Sequence, residues 1–344
     1  MNDDIQIRQD GQAGRITLNR PAALNALTWD MCTAIEAALD TWRDDDTVAL
    51  VLIDAAGDRA FCAGGDIAEM YATGMAGDFE YGRRFWTDEY RMNAKLFNFP
   101  KPVISFLQGF TMGGGVGVGC HASHRIVCDS SQIAMPEVGI GLVPDVGGSL
   151  LLARAPGRLG EYLGATASRM GPGDAILAEF ADYYVPQDQW QALKDTLVQT
   201  GEWEAVDRAA HPAPDAPLAA LGPQVDFLFS GETLRDILTD LRHSDTDFAR
   251  DALKKLSRNA PLSVACAIEL VHRVRARGTI EYALDQEYRF TSRAMEHGDF
   301  LEGIRAAIID KDRSPKWRHD ALDAVAPVDV SGMLMPTGDQ RTEV

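Results

Sequence analysis

The chain is short of the features that mark secretion, membranes or nucleotide binding. Its five cysteines, Cys32, Cys62, Cys120, Cys128 and Cys266, are odd in number, and no pair has C-x-x-C spacing. That argues against a disulfide framework or a cysteine-based zinc site and fits a reducing compartment. No apolar run reaches the roughly 20 residues needed to cross a bilayer. Positive charge is scarce: 33 Lys and Arg stand against 51 Asp and Glu, a formal charge of −18. A field of that sign repels phosphate backbones and anionic lipid, so nucleic acid and membrane are not expected partners. The start, Met1-Asn2-Asp3-Asp4-Ile5, lacks both a basic apolar leader and the acid-poor character of a transit peptide, so the expected location is the cytoplasm. Three nucleotide and nucleophile signatures are also missing. From Gly113 and Gly115 the third glycine of G-x-G-x-x-G falls on Val118, there is no G-K-[ST], and there is no G-x-S-x-G elbow.

What is present suits an ordinary folded protein. Apolar residues make up 46% of the 344 positions and charged residues 24%, enough for a sizeable core and too balanced for disorder. The length suggests about two domains. Ile5 to Asn19 alternates around Asp10-Gly11 and reads as a hairpin. Thr28 can cap a helix through about Arg43, with Met31, Ile35, Leu39 and Trp42 at helical spacing. Val48 to Ile53 and Val103 to Leu107 read as buried strands, and Arg125 to Cys128 as a shorter one. Glycine-rich loops and helices are expected between them. Strands alternating with crossover helices imply a parallel α/β sheet, which carries ligands at the loops beyond its carboxyl ends. The rhythm changes near residue 196. The expected division is an α/β core over 1–195, a Pro- and Ala-rich linker or loop over 196–225, a helical region over 226–323 and a tail over 324–344. Helical periodicity runs through Gly231 to Leu241, Phe248 to Leu256, Ser263 to Ala276, Ile280 to Met295 and Phe300 to Ile309.

Two glycine loops stand out. Phe61-Cys62-Ala63-Gly64-Gly65-Asp66 follows one strand, and Met112-Gly113-Gly114-Gly115 follows the next and opens a helix. Glycine admits close backbone approach, and the first turn of a helix offers unpaired N–H groups at the positive end of its dipole. Two such donors from different loops can form an oxyanion hole; the plainer alternative is tight turns and close packing. A second constellation is Ala134-Met135-Pro136-Glu137 with Gly141-Leu142-Val143-Pro144-Asp145-Val146-Gly147-Gly148. Its two acids sit in apolar segments, which raises a carboxyl pKa into the range useful for acid–base work. Either acid could instead cap a local helix, Asp145 especially. His121 and His124 flank a turn and read as structural. Cys62 and Cys120 could be nucleophiles but have no evident basic partner. Lys311, Arg313, Lys316 and Arg318 form a basic cluster that could be a solvated helix end or could hold phosphates.

Taken together, Asn19-Arg20-Pro21 with Asn25-Ala26-Leu27, FCAGGDI, GFTMGGGVG, AMPEVGIGLVPDVGG and LEGIRAAIIDKDRSPKW resemble the crotonase (enoyl-CoA hydratase/isomerase) superfamily. The GIGLVPDVGG and EGIRAAIIDKD segments look closest to its 3-hydroxyisobutyryl-CoA hydrolase branch. The resemblance runs from about Ile5 to Trp317. It implies a spiral of repeated ββα units followed by a helical C-terminal region, and an acyl-CoA ligand. The thioester oxygen would rest on the backbone N–H groups of Gly65 and Gly114, with Ala63, Asp66 and Glu89 as substrate-binding residues. Glu137 and Asp145 match the branch's catalytic acids. Hydratases of the superfamily carry a second glutamate at the position held here by Gly117, so hydration is not the expected chemistry. The activity implied is hydrolysis of a short β-hydroxyacyl-CoA, with Glu137 attacking the carbonyl or activating water. No metal or redox cofactor is implied, because CoA arrives with the substrate. The superfamily's trimers and hexamers extend the expectation to a homo-oligomer. Two rival readings are an enoyl-CoA hydratase or isomerase, and a non-catalytic binding protein, since the branch includes relatives recruited as ribosome-associated subunits.

Overall fold

A computed structural model describes residues 3–338. In chain order the strands and α-helices are β1 (Ile5–Asp10), β2 (Ala13–Leu18), α1 (Trp29–Trp42), β3 (Leu50–Ala55), β4 (Ala60–Cys62), α2 (Ala68–Met75), α3 (Glu80–Phe97), β5 (Val103–Leu107), β6 (Phe110–Met112), α4 (Gly114–Gly119), β7 (His124–Val127) and β8 (Gln132–Ala134). There follow α5 (Gly148–Arg154), α6 (Leu159–Thr166), α7 (Pro172–Leu177), β9 (Tyr183–Tyr184), α8 (Trp190–Thr200), α9 (Ala205–Ala209), α10 (Pro217–Leu228), α11 (Leu234–His243), α12 (Asp247–Leu256), α13 (Pro261–Arg275), α14 (Ile280–His297), α15 (Phe300–Ile304) and α16 (Pro327–Leu334).

The chain divides into two compact units. The first comprises residues 1–65, 91–134 and 169–219; the second comprises 66–90, 135–168 and 220–344. This interleaving corrects the expectation of successive blocks. A change of rhythm along the sequence reports where helices replace strands, not which segments fold together.

The first unit holds every described strand. β1 and β2 form the expected antiparallel hairpin, from Ile5 opposite Leu18 to Asp10 opposite Ala13. The larger sheet then runs β2-β3-β5-β7-β9, all parallel, while β4-β6-β8 form a smaller parallel sheet. Each repeat gives one strand to each sheet: β3 and β4, β5 and β6, β7 and β8. That is the spiral of ββα repeats. Leu50 to Ile53 is buried on both faces, which is why this strand reads as an unbroken apolar run. Leu50, Leu52, Ile104, Phe106 and Ile126 pack with Trp190, Leu193 and Leu197 of α8. Thr28 caps α1 as expected, its side chain accepting the Met31 N–H at 3.2 Å.

The second unit is helical, and no strand occurs among the described residues beyond 225. α13 is buried along almost its whole length, and α5, α6 and α14 pack around it. The expected helices are present, except that the last one divides into α15 and a single π-helical turn over Arg305–Ile309.

Two expectations are corrected. The segment read as a linker over 196–225 contains the end of α8, all of α9 and much of α10. Its prolines misled: Pro217 sits in the first helical turn, where a missing N–H costs nothing, and Asp174 caps that turn by accepting the Leu218 N–H at 2.9 Å. The segment read as a tail over 324–344 contains α16, which buries Met333 and Leu334. Arg273 ties α16 down by donating to the Leu334 carbonyl at 3.1 Å. Residues 339–344 lie outside the described part of the chain.

Candidate active site

In the first unit, β4 and β6 are parallel neighbours, with Cys62 beside Thr111, so their carboxyl ends lie together. Each end feeds a glycine loop. Gly113, between β6 and α4, has φ +52° and ψ −121°, a conformation closed to side chains. A Cβ on Gly115 would stand 2.2 Å from the Cys62 carbonyl oxygen, so only glycine lets these two loops meet. The FCAGG loop is pinned further by Ala63 N–H to Leu24 O (3.0 Å) and Leu27 N–H to Gly64 O (2.9 Å). Gly65 and Gly114 thus sit in adjacent loops, as an amide pair requires. Ala63 and Gly65 are partly exposed and Gly114 is buried. Asp66, also partly exposed, opens the second unit.

The acids lie in the second unit. Glu89 and Tyr90 are on α3, Glu137 opens a 3-10 turn (Glu137–Ile140) three residues past β8, and Asp145 sits in the loop before α5. All are buried, at 3%, 0%, 4% and 4% exposure. Glu287 of α14, at 0%, joins them. The Tyr90 hydroxyl donates to Asp145 Oδ2 at 2.8 Å and also lies 3.3 Å from Thr291 Oγ1. Glu287 accepts the Gly147 N–H at 2.8 Å, the Ser149 N–H at 3.0 Å and the Ser149 hydroxyl. The cap on α5 is therefore Glu287. Asp145 contributes only its main-chain carbonyl, which accepts the Gly148 N–H at 2.6 Å.

Electrostatics follow from burial and shared sign. Burial and the Asp145 charge hold the Glu89 carboxyl well above its usual range. The same two causes hold Glu137 well above its range, with Glu287 and Glu89 adding to them. Burial pushes Asp145 up to about 7 against the Tyr90 hydrogen bond, and Glu287 up to about 8 against its three donors. Four acids in one dry neighbourhood cannot all ionise near neutrality. Glu137 Oε2 is buried with no hydrogen-bond partner, so that oxygen is uncommitted. This cluster can hold a proton, release it, and present a poorly solvated carboxylate. Among the described residues no set of three or more His, Cys, Asp or Glu side chains is placed to hold a metal ion.

The other candidates fall elsewhere. Cys62 and Cys120 are buried and in no disulfide, and burial pushes Cys120 up to about 12, which leaves it inert. His121 packs edge-on to Phe97, with ring centres 5.7 Å apart, and His124 stacks on Tyr183. Lys311, Arg313, Lys316 and Arg318 are exposed. Glu287, Tyr90 and Thr291 escaped sequence reasoning. A signal existed for Glu287: it falls in register with Ala283, Leu284, Phe290 and Ala294 on the buried face of α14, where an unexplained charge is rare.

Similarity to known proteins agrees with this architecture. Residues 13–334 match the family model for enoyl-CoA hydratase/isomerase proteins. The chain is 36% identical over 326 residues to 3-hydroxyisobutyryl-CoA hydrolase, mitochondrial, of Xenopus laevis, covering 92% of this chain and 84% of that protein. Among solved structures, an enoyl-CoA hydratase from Rhodobacter sphaeroides 2.4.1 superposes with a TM-score of 0.94 at 55% identity, covering 99% of this chain and all of that one. A carnitinyl-CoA dehydratase from Mycobacterium thermoresistibile superposes with a TM-score of 0.93 at 40% identity, covering 98% of each. The chain belongs to the enoyl-CoA hydratase/isomerase family, in the group that includes the 3-hydroxyisobutyryl-CoA hydrolases.

Proposed function

We propose that this protein hydrolyses a short β-hydroxyacyl-CoA, foremost 3-hydroxyisobutyryl-CoA, to the free acid and CoA. The observation that carries the reading is the buried pair Glu137 and Asp145, the first with an uncommitted oxygen and the second held by Tyr90. The amides of Gly65 and Gly114 would take the thioester oxygen, where preorganised donors stabilise developing negative charge. Glu137, once ionised, either adds to the thioester carbon, expelling CoA thiolate and leaving an anhydride that water cleaves, or removes a proton from an attacking water. Asp145 would orient the β-hydroxyl or carry the proton to the leaving thiolate. Glu89, Ala63 and Asp66 would help bind the substrate. CoA enters as part of that substrate, so the reading needs no separate cofactor.

The test is thiol release from 3-hydroxyisobutyryl-CoA by the wild type and by Glu137→Gln and Asp145→Asn. A loss of roughly 10³-fold or more is expected for Glu137→Gln. Wild-type rates in both variants would remove the chemistry. Single turnover in ¹⁸O-water separates the two routes, because only anhydride cleavage can leave label in Glu137.

One observation favours a hydratase, namely the likeness to the Rhodobacter sphaeroides protein described as one. Gly117, buried inside α4, supplies no second carboxylate. Loss of enoyl absorbance from crotonyl-CoA without thiol release would decide for hydration. All five cysteines are buried and outside any disulfide, which supports a reducing compartment; the cytoplasm is proposed for it, and the Xenopus relative is described as mitochondrial. Among the described residues no helix is long and apolar enough to cross a membrane. Assembly into trimers or hexamers, which the resemblance implies, is read by sedimentation.

A further inference from the structure

We infer that Glu287 is a positioning residue that holds the Asp145 loop in its working conformation. The inference rests on the hydrolase reading for its kinetic consequences. The loop is costly by itself. Val146 has φ +53° and Gly147 φ +78°, two consecutive left-handed residues, and the first is β-branched and buried. A β-branched residue there is a true outlier that persists only when its surroundings over-determine it.

Glu287 supplies that constraint. Its two oxygens take the N–H groups of Gly147 and Ser149 and the Ser149 hydroxyl, three bonds onto the second residue of the strained turn and the residue two positions beyond it. One helical turn further on α14, Thr291 meets the Tyr90 hydroxyl that donates to Asp145. Residues four apart lie on one face of a helix. A single face of α14 therefore constrains Asp145 twice, through the backbone that follows it at Gly147 and Ser149 and through its side chain by way of Tyr90. Glu287 has no place in the proposed bond-making steps, and it is too well satisfied to act as the base. Its worth lies in keeping Asp145 from relaxing by the fraction of an ångström that costs rate.

The test compares wild type, Glu287→Gln and Ser149→Ala. Gln keeps the shape but turns an NH2 toward at least one N–H donor. Thiol-release kcat is expected to fall about 10- to 100-fold in Glu287→Gln, with KM changed less than about threefold. The pH profile of Glu287→Gln is expected to part from that of the wild type near and above pH 8, where wild-type Glu287, held up to about 8, ionises beside Asp145, Glu137 and the α3 groups Glu89 and Tyr90 and Gln cannot. A merely structural role lowers the active fraction and leaves the shape of the profile in place. Ser149→Ala, which removes one hydroxyl donor and should fold in any case, is expected to give a smaller fall of about three- to tenfold. Hydrogen exchange is read alongside, independently of turnover: the Gly147 and Ser149 amides are expected to lose protection while those of α13 keep theirs. If the wild type releases no thiol, the hydrolase reading falls and the exchange pattern alone decides the positioning role. Unchanged kcat and pH profile in an active enzyme, or unchanged protection of the two amides, overturns the inference.

Discussion

Replacing Asp145 by Asn should stabilise the protein, and by an amount that grows with pH. An unfolded aspartate titrates near 3.9, whereas burial holds Asp145 up to about 7. Over that interval the folded state keeps a proton that the unfolded state has lost. Native binding exceeds unfolded binding, so the slope of stability with pH is negative. Stability is lost progressively above about pH 4, and the loss is complete above the folded pKa. Three units at about 1.4 kcal/mol each give a burden of about 4 kcal/mol at pH 8. Asn removes it while keeping the side chain's size and an oxygen for the Tyr90 hydroxyl, 2.8 Å away in the wild type. Neighbouring acids share part of the titration, so a gain of about 2–4 kcal/mol is expected at pH 8 and almost none at pH 4. Urea unfolding of both proteins at pH 4, 5, 6, 7 and 8, followed by tryptophan fluorescence, measures the gap directly. A gap that is flat across pH, or a wild type more stable than the variant at pH 8, would refute the burial argument. Thiol release should fall in the same variant, a gain in stability set against a loss of function.

Three further outcomes follow from the same burial and packing. The acid limb of kcat/KM for thiol release should lie above 4.3, the ordinary glutamate value, because burial and Asp145 hold the Glu137 proton; a midpoint at or below the ordinary value would deny that Glu137 must ionise. Gly115→Ala should cost about 1–3 kcal/mol by urea unfolding and reduce activity, since its Cβ would meet the Cys62 carbonyl oxygen at 2.2 Å. Glu161→Ala should cost about 2–4 kcal/mol at pH 7, because it strands Arg275, Arg158 and His272 around a fully buried carboxylate position. Those partners hold the Glu161 carboxyl below its usual range. Its contribution is therefore present above about pH 4.5 and lost as pH falls through the lowered folded pKa, so the wild type–variant gap should close in strong acid.

The strands and glycine loops were legible in the sequence because local physics determines them. Leu50 to Ile53 is apolar throughout because both its faces are covered, and in the GGG run Gly113 answers to its backbone conformation and Gly115 to a backbone contact that excludes a Cβ. The helices of 226–323 were legible from periodicity. Less legible was any feature made by distant segments meeting. Glu287 reaches across 138 positions to Ser149, and nothing in the sequence near either residue announces the other. Pro217 misled for another reason. Proline breaks a helix interior but suits a first turn, and the sequence alone did not reveal which position it occupies. Asp145 illustrates both effects. It looked like a helix cap, and the cap came instead from an acid far along the chain.

The chain passes from one compact unit to the other at residues 65/66, 90/91, 134/135, 168/169 and 219/220, and helices α3 and α10 each belong partly to both. Neither unit can be cut out as one continuous fragment. Expressing half of the gene would yield two incomplete cores rather than one module, and recombination between relatives at any one junction would mix parentage in both units at once. Such a protein cannot diversify by swapping whole domains. New acyl specificities have to arise by substitution within the intact chain.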